Sequence, residues 1–540
     1  MRPTLVSSKD TEAYLATGHW SRDTMLDRYY AFASEFPDKI ACRDDTTSFT
    51  WAQLDEATNI LAANLITLGI KRDETALVQM PSSCQEMLLR VGLKKAGIIG
   101  AFAPLQWRRK ELDYVVDRIK PRLVVFSCQL MAREERAWLD RTMFENPCVE
   151  HRIDLANSHT ERWLQWSNFL SPPQDLKANL SHKERHFRYD EVSLITVSSG
   201  TSGIAKLCEW PEGSQVCMGS TIAERMGITA DDIIGIFAPM SGAAGLLVWT
   251  VSGKLPCSFI FPRTYGAKPL LDLAQRAKVS VITTVPVILA RLEQEPLQHY
   301  DLRALRLLRV GTAAADLASA RAFEEKTECR VIVASGAMEC PGFGHADANE
   351  SKELRLNGSV GLPLRGCQLR IEDEKGNDLP SDTIGELKVA APFASSGYWK
   401  DAKATEAVWS EGWYATGDMG VLDQDGRLTL RGRLKETINR SGHKILPAEV
   451  ESEISRHPDV FACAVVGAPD SEYGAVPWAF VQMQSGRELD TEALTALMNE
   501  SGLANYKIPQ RFISIAELPR INDNKVDKKA LLASVREALN

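Results

Sequence analysis

Apolar residues recur along this chain in two alternating rhythms. Across residues 54–68, Leu54, Ala57, Leu61, Leu65 and Leu68 fall three or four positions apart, which predicts a helix with one buried face. A second helix is predicted over residues 270–277. Between such segments lie short runs rich in apolar and β-branched residues, at Leu123–Phe126, 192–197, 279–285 and 330–334, which read as buried strands. Strand and helix alternate through most of the chain. The expected class is therefore α/β, with packed parallel-type sheets covered by helices. No internal repeat and no low-complexity tract interrupts the pattern.

The rhythm changes near residues 432–435, just after a turn-rich hairpin at 423–427. Beyond it, Pro447 opens a predicted helix (P-A-E-V-E-S-E-I), residues 461–467 read as a strand, and a terminal helix begins at Asp527. These features predict a large N-terminal domain over 1–434 and a small C-terminal α+β domain over 435–540, carried on a hinge.

Composition narrows the function classes. A chain of 540 residues is too long for one compact core, and 44% hydrophobic with 25% charged residues are values of a soluble globular protein. Lysine and arginine number 63 against 71 aspartates and glutamates, so the net charge of −8 offers no attraction for nucleic acid or an anionic membrane. The N-terminal M-R-P-T-L-V-S-S-K-D lacks the apolar centre of a signal peptide, and no run of eighteen apolar residues occurs. A cytoplasmic location is expected. Eleven cysteines, from Cys42 to Cys463, form no C-x-x-C pair, so neither a zinc site nor a disulfide framework is indicated.

The candidate chemistry begins at residues 197–206, V-S-S-G-T-S-G-I-A-K. Gly200 and Gly203 stand among Ser198, Ser199, Thr201 and Ser202, and Lys206 closes a run that follows directly on the predicted strand at 192–197. Glycine reaches positive φ at little cost, so successive backbone N–H groups can converge on an anion, while hydroxyls and a lysine add donors and charge. A flexible turn has the same composition, and the strand leading into it favours a triphosphate cradle. It is not the P-loop G-x-x-x-x-G-K-[ST], because Ala205 precedes the lysine and Leu207 follows it.

The loop resembles the phosphate loop of the adenylate-forming enzymes: acyl-CoA synthetases, aryl-acid ligases, peptide-synthetase adenylation domains and firefly luciferase. Ala205 stands where that superfamily usually has proline. Further matches follow in the family's order. Gly311, Thr312 and Ala313, within V-G-T-A-A at 310–314, resemble its adenine-wall segment. S-G-A-M-E at 335–339 stands where the family has an aromatic residue, glycine, any residue, threonine and glutamate. The resemblance makes Ser335, Gly336, Ala337 and Met338 neighbours of the nucleotide. It makes Glu339 a magnesium ligand, with Thr201 beside it, and carboxylate oxygen is the donor that a hard cation takes. Residues 358–361 and 385–387 match structural markers.

W-Y-A-T-G-D at 413–418 matches the family's W-[FY]-x-T-G-D, whose aspartate, here Asp418, accepts hydrogen bonds from both ribose hydroxyls. R-G-R-L-K-E at 431–436 matches G-R-x-K-[DE], which implies Arg433 as a second ribose contact and Lys435 as the hinge. Near the C-terminus, L-P-R at 518–520 and N-K at 524–525 resemble the segment of the catalytic lysine, Lys525, with asparagine replacing the commoner glycine. Seven ordered motifs over about 330 residues carry the resemblance.

The resemblance implies ATP-dependent activation of a carboxylic acid to an acyl-adenylate with release of pyrophosphate, then transfer to CoA. ATP, Mg2+ and CoA are the implied cofactors. Ser441 and Gly442 would lie on the path of the pantetheine arm. The acyl pocket would be lined by 237–245, including Phe237, Ser241, Gly242, Ala243 and Gly245, by 311–313 and by the segment before Glu339. Those residues are mostly small, and no arginine or lysine appears in these segments to pair with a second carboxylate. An uncharged aromatic, alicyclic or medium-chain acid is expected. Alternatives are a stand-alone adenylating enzyme that loads a carrier protein, an oxygenase of the luciferase type, and a non-catalytic nucleotide-binding or scaffold protein.

Overall fold

Helix boundaries in this chain are set by local capping chemistry. Thr50 accepts from the Gln53 N–H at 3.2 Å and Gln53 reciprocates to the Thr50 N–H at 3.0 Å, starting the helix Trp51–Thr67 three residues ahead of the periodic stretch that predicts it. Thr24 and Asp27 cap Met25–Glu35 in the same way. The helix Cys84–Ala96 starts at Ser83 and ends at Gly97, whose φ of 69° lies in the left-handed region that closes helices without Cβ strain. The computed structural model describes residues 8–127, 136–137, 139–141, 145–155, 163–172, 183–199, 205–311, 317–441, 443–521 and 525–539. The chain divides into two compact units, Met1–Gln368 with Val389–Tyr414, and Leu369–Lys388 with Ala415–Asn540.

The first unit holds two parallel-type sheets. One has eight strands in the order Gly344–His345, Arg330–Ser335, Leu307–Val310, Val281–Thr284, Ile233–Ile236, Ser258–Ile260, Ile40–Arg43, Ser48–Thr50. Its inner pairs are parallel and the two outermost pairs antiparallel. Helices Ala267–Ala277, Pro286–Glu293 and Leu317–Thr327 pack Leu270, Leu273, Ile288, Leu292 and Phe323 onto Ile282, Leu308, Val310 and Val331. Each such side chain contributes about 1.5–3 kcal/mol by leaving water.

The other sheet has seven strands in the order Leu164–Gln165, His151–Asp154, Leu123–Phe126, Thr75–Gln79, Ile99–Phe102, Val192–Ser199, Ala205–Pro211. Only its last pair is antiparallel. Strands covered on both faces read as continuous apolar runs, which is why Leu123–Phe126 and Val281–Thr284 were legible as strands. Every residue of Cys84–Ala96 except Gln85 is buried, so its charges are paired inside: Arg90 with Glu86 at 2.6 Å, and Lys94 with Glu212.

The second unit is built on antiparallel pairing. Val460–Asp470 pairs with Gly474–Met483, Arg511–Ser514 lies parallel to the latter, and Ile438–Arg440 with His443–Ile445 extends the sheet. Alternate residues face two layers. Val465, Ala479 and Val481 pack with Val450, Ile454, Leu494 and Met498, while Val466, Trp478 and Phe480 pack with Leu531 and Val535. The helix opened by Pro447 runs Pro447–Ile454, and the terminal helix runs Lys528–Leu539. The α/β class, with large parallel sheets and a smaller α+β C-terminal portion, is as expected. Among the described residues all ten cysteines are free, and no helix is long and apolar enough to cross a membrane.

Candidate active site

The expected phosphate loop joins two paired strands. Val192–Ser199 and Ala205–Pro211 run antiparallel, with Ser198 opposite Lys206 and Ser199 opposite Ala205. Gly200, Thr201, Ser202 and Gly203 lie outside the described residues, and Ser198 and Ser199 are described by their backbone. Lys206 is the first charged side chain after the loop. Its position is fixed by a third segment, for Trp399 donates to the Leu207 carbonyl at 2.7 Å, Glu209 to Gly397 at 2.8 Å and Ser396 to Glu209 at 2.8 Å. That pairing brings Tyr398 alongside Lys206.

Three functional groups meet there. Lys206 Nζ donates to the Tyr398 hydroxyl at 2.7 Å and stands 3.5 Å from Glu339 Oε1. The Tyr398 hydroxyl donates to the same Glu339 oxygen at 2.6 Å. Glu339 is only 5% exposed, and its backbone carbonyl accepts from Ser395 N at 2.8 Å. Burial, and next the Glu339 carboxylate, push the Tyr398 phenol far above its usual range. It therefore remains a proton donor to the carboxylate. Glu339 Oε2 accepts no hydrogen bond among the described residues.

Glu339 reaches this place through a tight turn after the strand Arg330–Ser335. Ala337 N donates to the Cys340 carbonyl and Cys340 N to Ala337, both at 3.2 Å. A Cβ on Gly336 would stand 2.2 Å from Gly342 N, so only glycine fits the approach of those two backbones. Ser335, Gly336 and Ala337 are half-buried, while Met338 turns into the interior. Among the described residues no three His, Cys, Asp or Glu side chains cluster as a closed metal cage. A single buried carboxylate, one of whose oxygens accepts nothing from the described residues, fits magnesium, which keeps several waters and takes one or two carboxylates beside phosphate oxygens.

The segments expected to line the acid also lie in the first unit. Phe237 is fully buried in the core of the eight-stranded sheet, Gly242 is buried, and Ser241 and Ala243 are half-buried. Thr284 Oγ1 donates to the Phe237 carbonyl at 3.1 Å and Thr283 Oγ1 to the Ala244 carbonyl at 3.0 Å, which ties this segment to the strand Val281–Thr284. A Cβ on Gly245 would meet the Pro239 carbonyl at 2.5 Å, so the backbone doubles back on itself there. Gly311 follows the strand Leu307–Val310; Thr312 and Ala313 lie outside the described residues.

In the second unit the structure brings Asp418 and Arg433 together. They are register partners on the strands Trp413–Leu422 and Leu428–Arg433, and Arg433 Nε stands 2.6 Å from Asp418 Oδ1. Asp418 N donates to Thr416 Oγ1 at 2.9 Å, and Thr416 Oγ1 in turn donates to the Leu387 carbonyl at 2.9 Å. T-G-D therefore sits within a strand, with Gly417 at φ 70° supplying the local kink. Gly432 has φ 113°, and a Cβ there would stand 3.2 Å from Ala448 Cβ. Lys435 lies in the short 3-10 turn Leu434–Glu436.

Ser441, at φ 47°, donates its N–H to the Tyr473 carbonyl at 2.9 Å, and Gly442 lies outside the described residues. Lys525, described by its backbone, pairs with Ile521 in the short ladder of Arg520–Ile521 with Lys525–Val526.

Tyr398 is the residue that motif reasoning missed. It lies in G-Y-W within an irregular segment, where hydrophobic periodicity carries no signal, and only the cross-strand pairing reveals its partners. Trp409 holds its ring edge-on at 5.2 Å, with Tyr414 at 4.8 Å behind.

Comparison with known proteins agrees with this geometry. Residues 30–399 match the family model described as AMP-binding enzyme, and residues 449–525 match the AMP-binding enzyme C-terminal domain. The chain is 29% identical over 535 residues to triostin synthetase I of Streptomyces triostinicus, covering 97% of this chain and 96% of that protein. It is 25% identical over 537 residues to 2-hydroxy-7-methoxy-5-methyl-1-naphthoate–CoA ligase of Streptomyces carzinostaticus, with 96% and 95% covered. A crystal structure of an anthranilate CoA ligase in complex with anthranoyl-AMP shares the fold, with a TM-score of 0.86, 22% identity, and 96% and 98% of the two chains covered.

Proposed function

This chain belongs to the AMP-binding enzyme family of adenylate-forming enzymes, and we propose that it is an acid–CoA ligase. It would activate an aromatic, alicyclic or medium-chain carboxylic acid with ATP and pass the acyl group to CoA. The observation that carries the reading is the meeting of Lys206, Tyr398 and Glu339 at the end of the strand pair that bears the glycine- and hydroxyl-rich loop. The relative named as a naphthoate–CoA ligase supports CoA as acceptor.

In the proposed reaction a carboxylate oxygen of the acid attacks the α-phosphorus of ATP. The bond from that phosphorus to the bridging oxygen breaks, and pyrophosphate leaves with the electron pair. Such a step needs no protein nucleophile; it needs alignment and compensation of charge. Lys206 and the loop hydroxyls Thr201 and Ser202 would hold the β- and γ-phosphates, and Asp418 with Arg433 the ribose. Lys525 would bridge the acyl oxygen and the α-phosphate. Glu339 would hold magnesium, which when bound offsets phosphate charge. The thiol of CoA, giving up its proton to solvent, then attacks the acyl carbonyl; the tetrahedral intermediate collapses by breaking the acyl carbon–oxygen bond, and AMP leaves with that electron pair as the thioester closes. A domain of residues 435–540, turning about Lys435, would exchange the Lys525 face for one carrying Ser441 and Gly442.

The test is acid-dependent exchange of labelled pyrophosphate into ATP across a panel of carboxylic acids, followed by assay of free CoA consumption. Exchange with at least one acid is expected, and Lys525→Ala should lose most of it while still binding ATP. Silence with every acid would reject the ligase reading. Exchange without CoA consumption would assign the acyl group to a carrier protein instead.

A further inference from the structure

Lys525 lies on a strand that has little sheet to hold it. The ladder of Arg520–Ile521 with Lys525–Val526 has two register pairs, and among the described residues it joins no further strand. An isolated two-stranded ladder is marginally stable in water, so its place must be fixed from its flanks. Upstream, Leu518 is buried in the layer of Trp478 and Phe480. Asp527 N donates to the Pro519 carbonyl at 2.7 Å and closes the base of the ladder. Downstream, Asp527 Oδ1 accepts from Lys529 N and Ala530 N, both at 3.1 Å, and Leu531 and Val535 seat the terminal helix in the same apolar layer.

The first residue of that helix adds what apolar packing cannot. Lys528 Nζ donates to Glu436 Oε2 at 2.9 Å and stands 2.7 Å from Glu451 Oε1. Burial by itself lowers the ammonium, but the charges of Glu451 and Glu436 outweigh it and hold the group above its usual range, so it is charged at neutral pH. Glu451 belongs to the helix Pro447–Ile454, and its Oε1 also accepts from Val465 N at 2.7 Å, which pins it to the strand Val460–Asp470. Glu436 closes the 3-10 turn Leu434–Glu436, which holds Lys435. One ammonium thus joins the turn at Lys435, the main sheet of the second unit and the helix that follows Lys525 by three residues. Apolar contacts are not directional and let a helix slide, whereas two charge-assisted bonds of this kind set where it starts.

We propose that Lys528 is a positioning residue for Lys525: by bridging Glu436 and Glu451 it fixes the start of the terminal helix, and with it the two-stranded ladder, against the turn that carries Lys435. The proposal rests on the acid-activating reading above, in which Lys525 serves adenylation and Lys435 is the hinge. The turn and the ladder then move as one body, and Lys528 acts through its two carboxylates rather than on the substrate.

The test separates the two half-reactions in the full chain. Pyrophosphate exchange reports adenylation, and CoA consumption with chemically prepared acyl-adenylate reports thioester formation, which does not call on Lys525. Lys528→Met should lower kcat of exchange by about ten- to a hundredfold, the scale of loss when a catalytic group is slightly misplaced. KM for MgATP and for the acid, and the rate of thioester formation, should stay within about twofold. Lys528→Arg, which keeps the charge, should recover most of the exchange. Glu436→Gln, at a side chain 34% exposed and so with little risk to folding, should show part of the same selective loss. Adding it to Lys528→Met should cost little more, because both changes break one contact. Equal losses in the two half-reactions would reduce Lys528 to a merely structural role and overturn the proposal, as would unchanged exchange. Where circular dichroism shows that Lys528→Met does not fold, Glu436→Gln decides by the same comparison. Absence of exchange by the wild type with every acid would instead sink the ligase reading, and the positioning role with it.

Discussion

Replacing Tyr398 with phenylalanine removes one oxygen and leaves the ring against Trp409, so its effect isolates the hydroxyl. That oxygen donates to Glu339 at 2.6 Å and accepts from Lys206 at 2.7 Å. Glu339 is 5% exposed, so bulk water does not readily replace the lost donor. A hydrogen bond to a charged group contributes about 1.5–3 kcal/mol, and each ~1.4 kcal/mol is tenfold in rate. If the hydroxyl aims the carboxylate and the ammonium at phosphate and metal, kcat/KM for MgATP in pyrophosphate exchange should fall about ten- to a hundredfold. The assay varies MgATP at saturating concentration of an acid that supports exchange. A cycle with Lys206→Met adds a second reading: because Lys206 bonds the same oxygen, the double variant should lose clearly less than the product of the single losses. Exchange within about twofold of wild type, or fully multiplicative losses, would refute the positioning role of Tyr398.

Other consequences are equally open to measurement. Asp418→Asn should weaken ATP binding about tenfold or more, measured with a fluorescent ATP analogue, since an amide offers the ribose and Arg433 one acceptor in place of two. Gly219→Ala should lower the urea midpoint by an amount equivalent to about 1–3 kcal/mol or more, because the new Cβ would fall 2.0 Å from the Thr250 carbonyl oxygen. His345 is held well below 6.5, by burial first and the Arg309 charge next, so it stays neutral in the fold while the unfolded chain takes up a proton. Stability should therefore fall as pH drops below about 6.5, by up to about 1.4 kcal/mol per unit from this group. His345→Gln should flatten that part of the urea-midpoint profile.

What the sequence made legible follows from where each signal is stored. Buried parallel strands and one-faced helices store it in the local order of residues, so Leu123–Phe126 and Trp51–Thr67 were readable within a few positions. Helix starts shifted because capping, through Thr50 and Gln53, acts outside the periodic stretch. The T-G-D segment reads as a turn in isolation, but Gly417 and the register shift between Met419 and Gly420 let a strand absorb it. The motifs that carry the family resemblance were readable because each places several characteristic residues in adjacent positions, as W-Y-A-T-G-D does at 413–418.

The pieces that decide chemistry between motifs are stored elsewhere, in register. Tyr398 meets Lys206 because residues 395–399 pair with the strand Ala205–Pro211, almost two hundred positions away in sequence, as the 192-residue separation of the hydrogen bond records. Arg309 meets Thr283 because two parallel strands align in one of several registers that their apolar composition would permit equally. Neither residue stands out by type, since tyrosines and arginines are frequent at surfaces and interfaces alike. What distinguishes them is a buried donor in each case, held to an acceptor that another strand or segment brings to it. Tyr398 has its carboxylate in Glu339. Arg309 has His345 Nε2 at 3.1 Å and Thr283 Oγ1 at 3.4 Å, both brought to it by other strands of the same sheet.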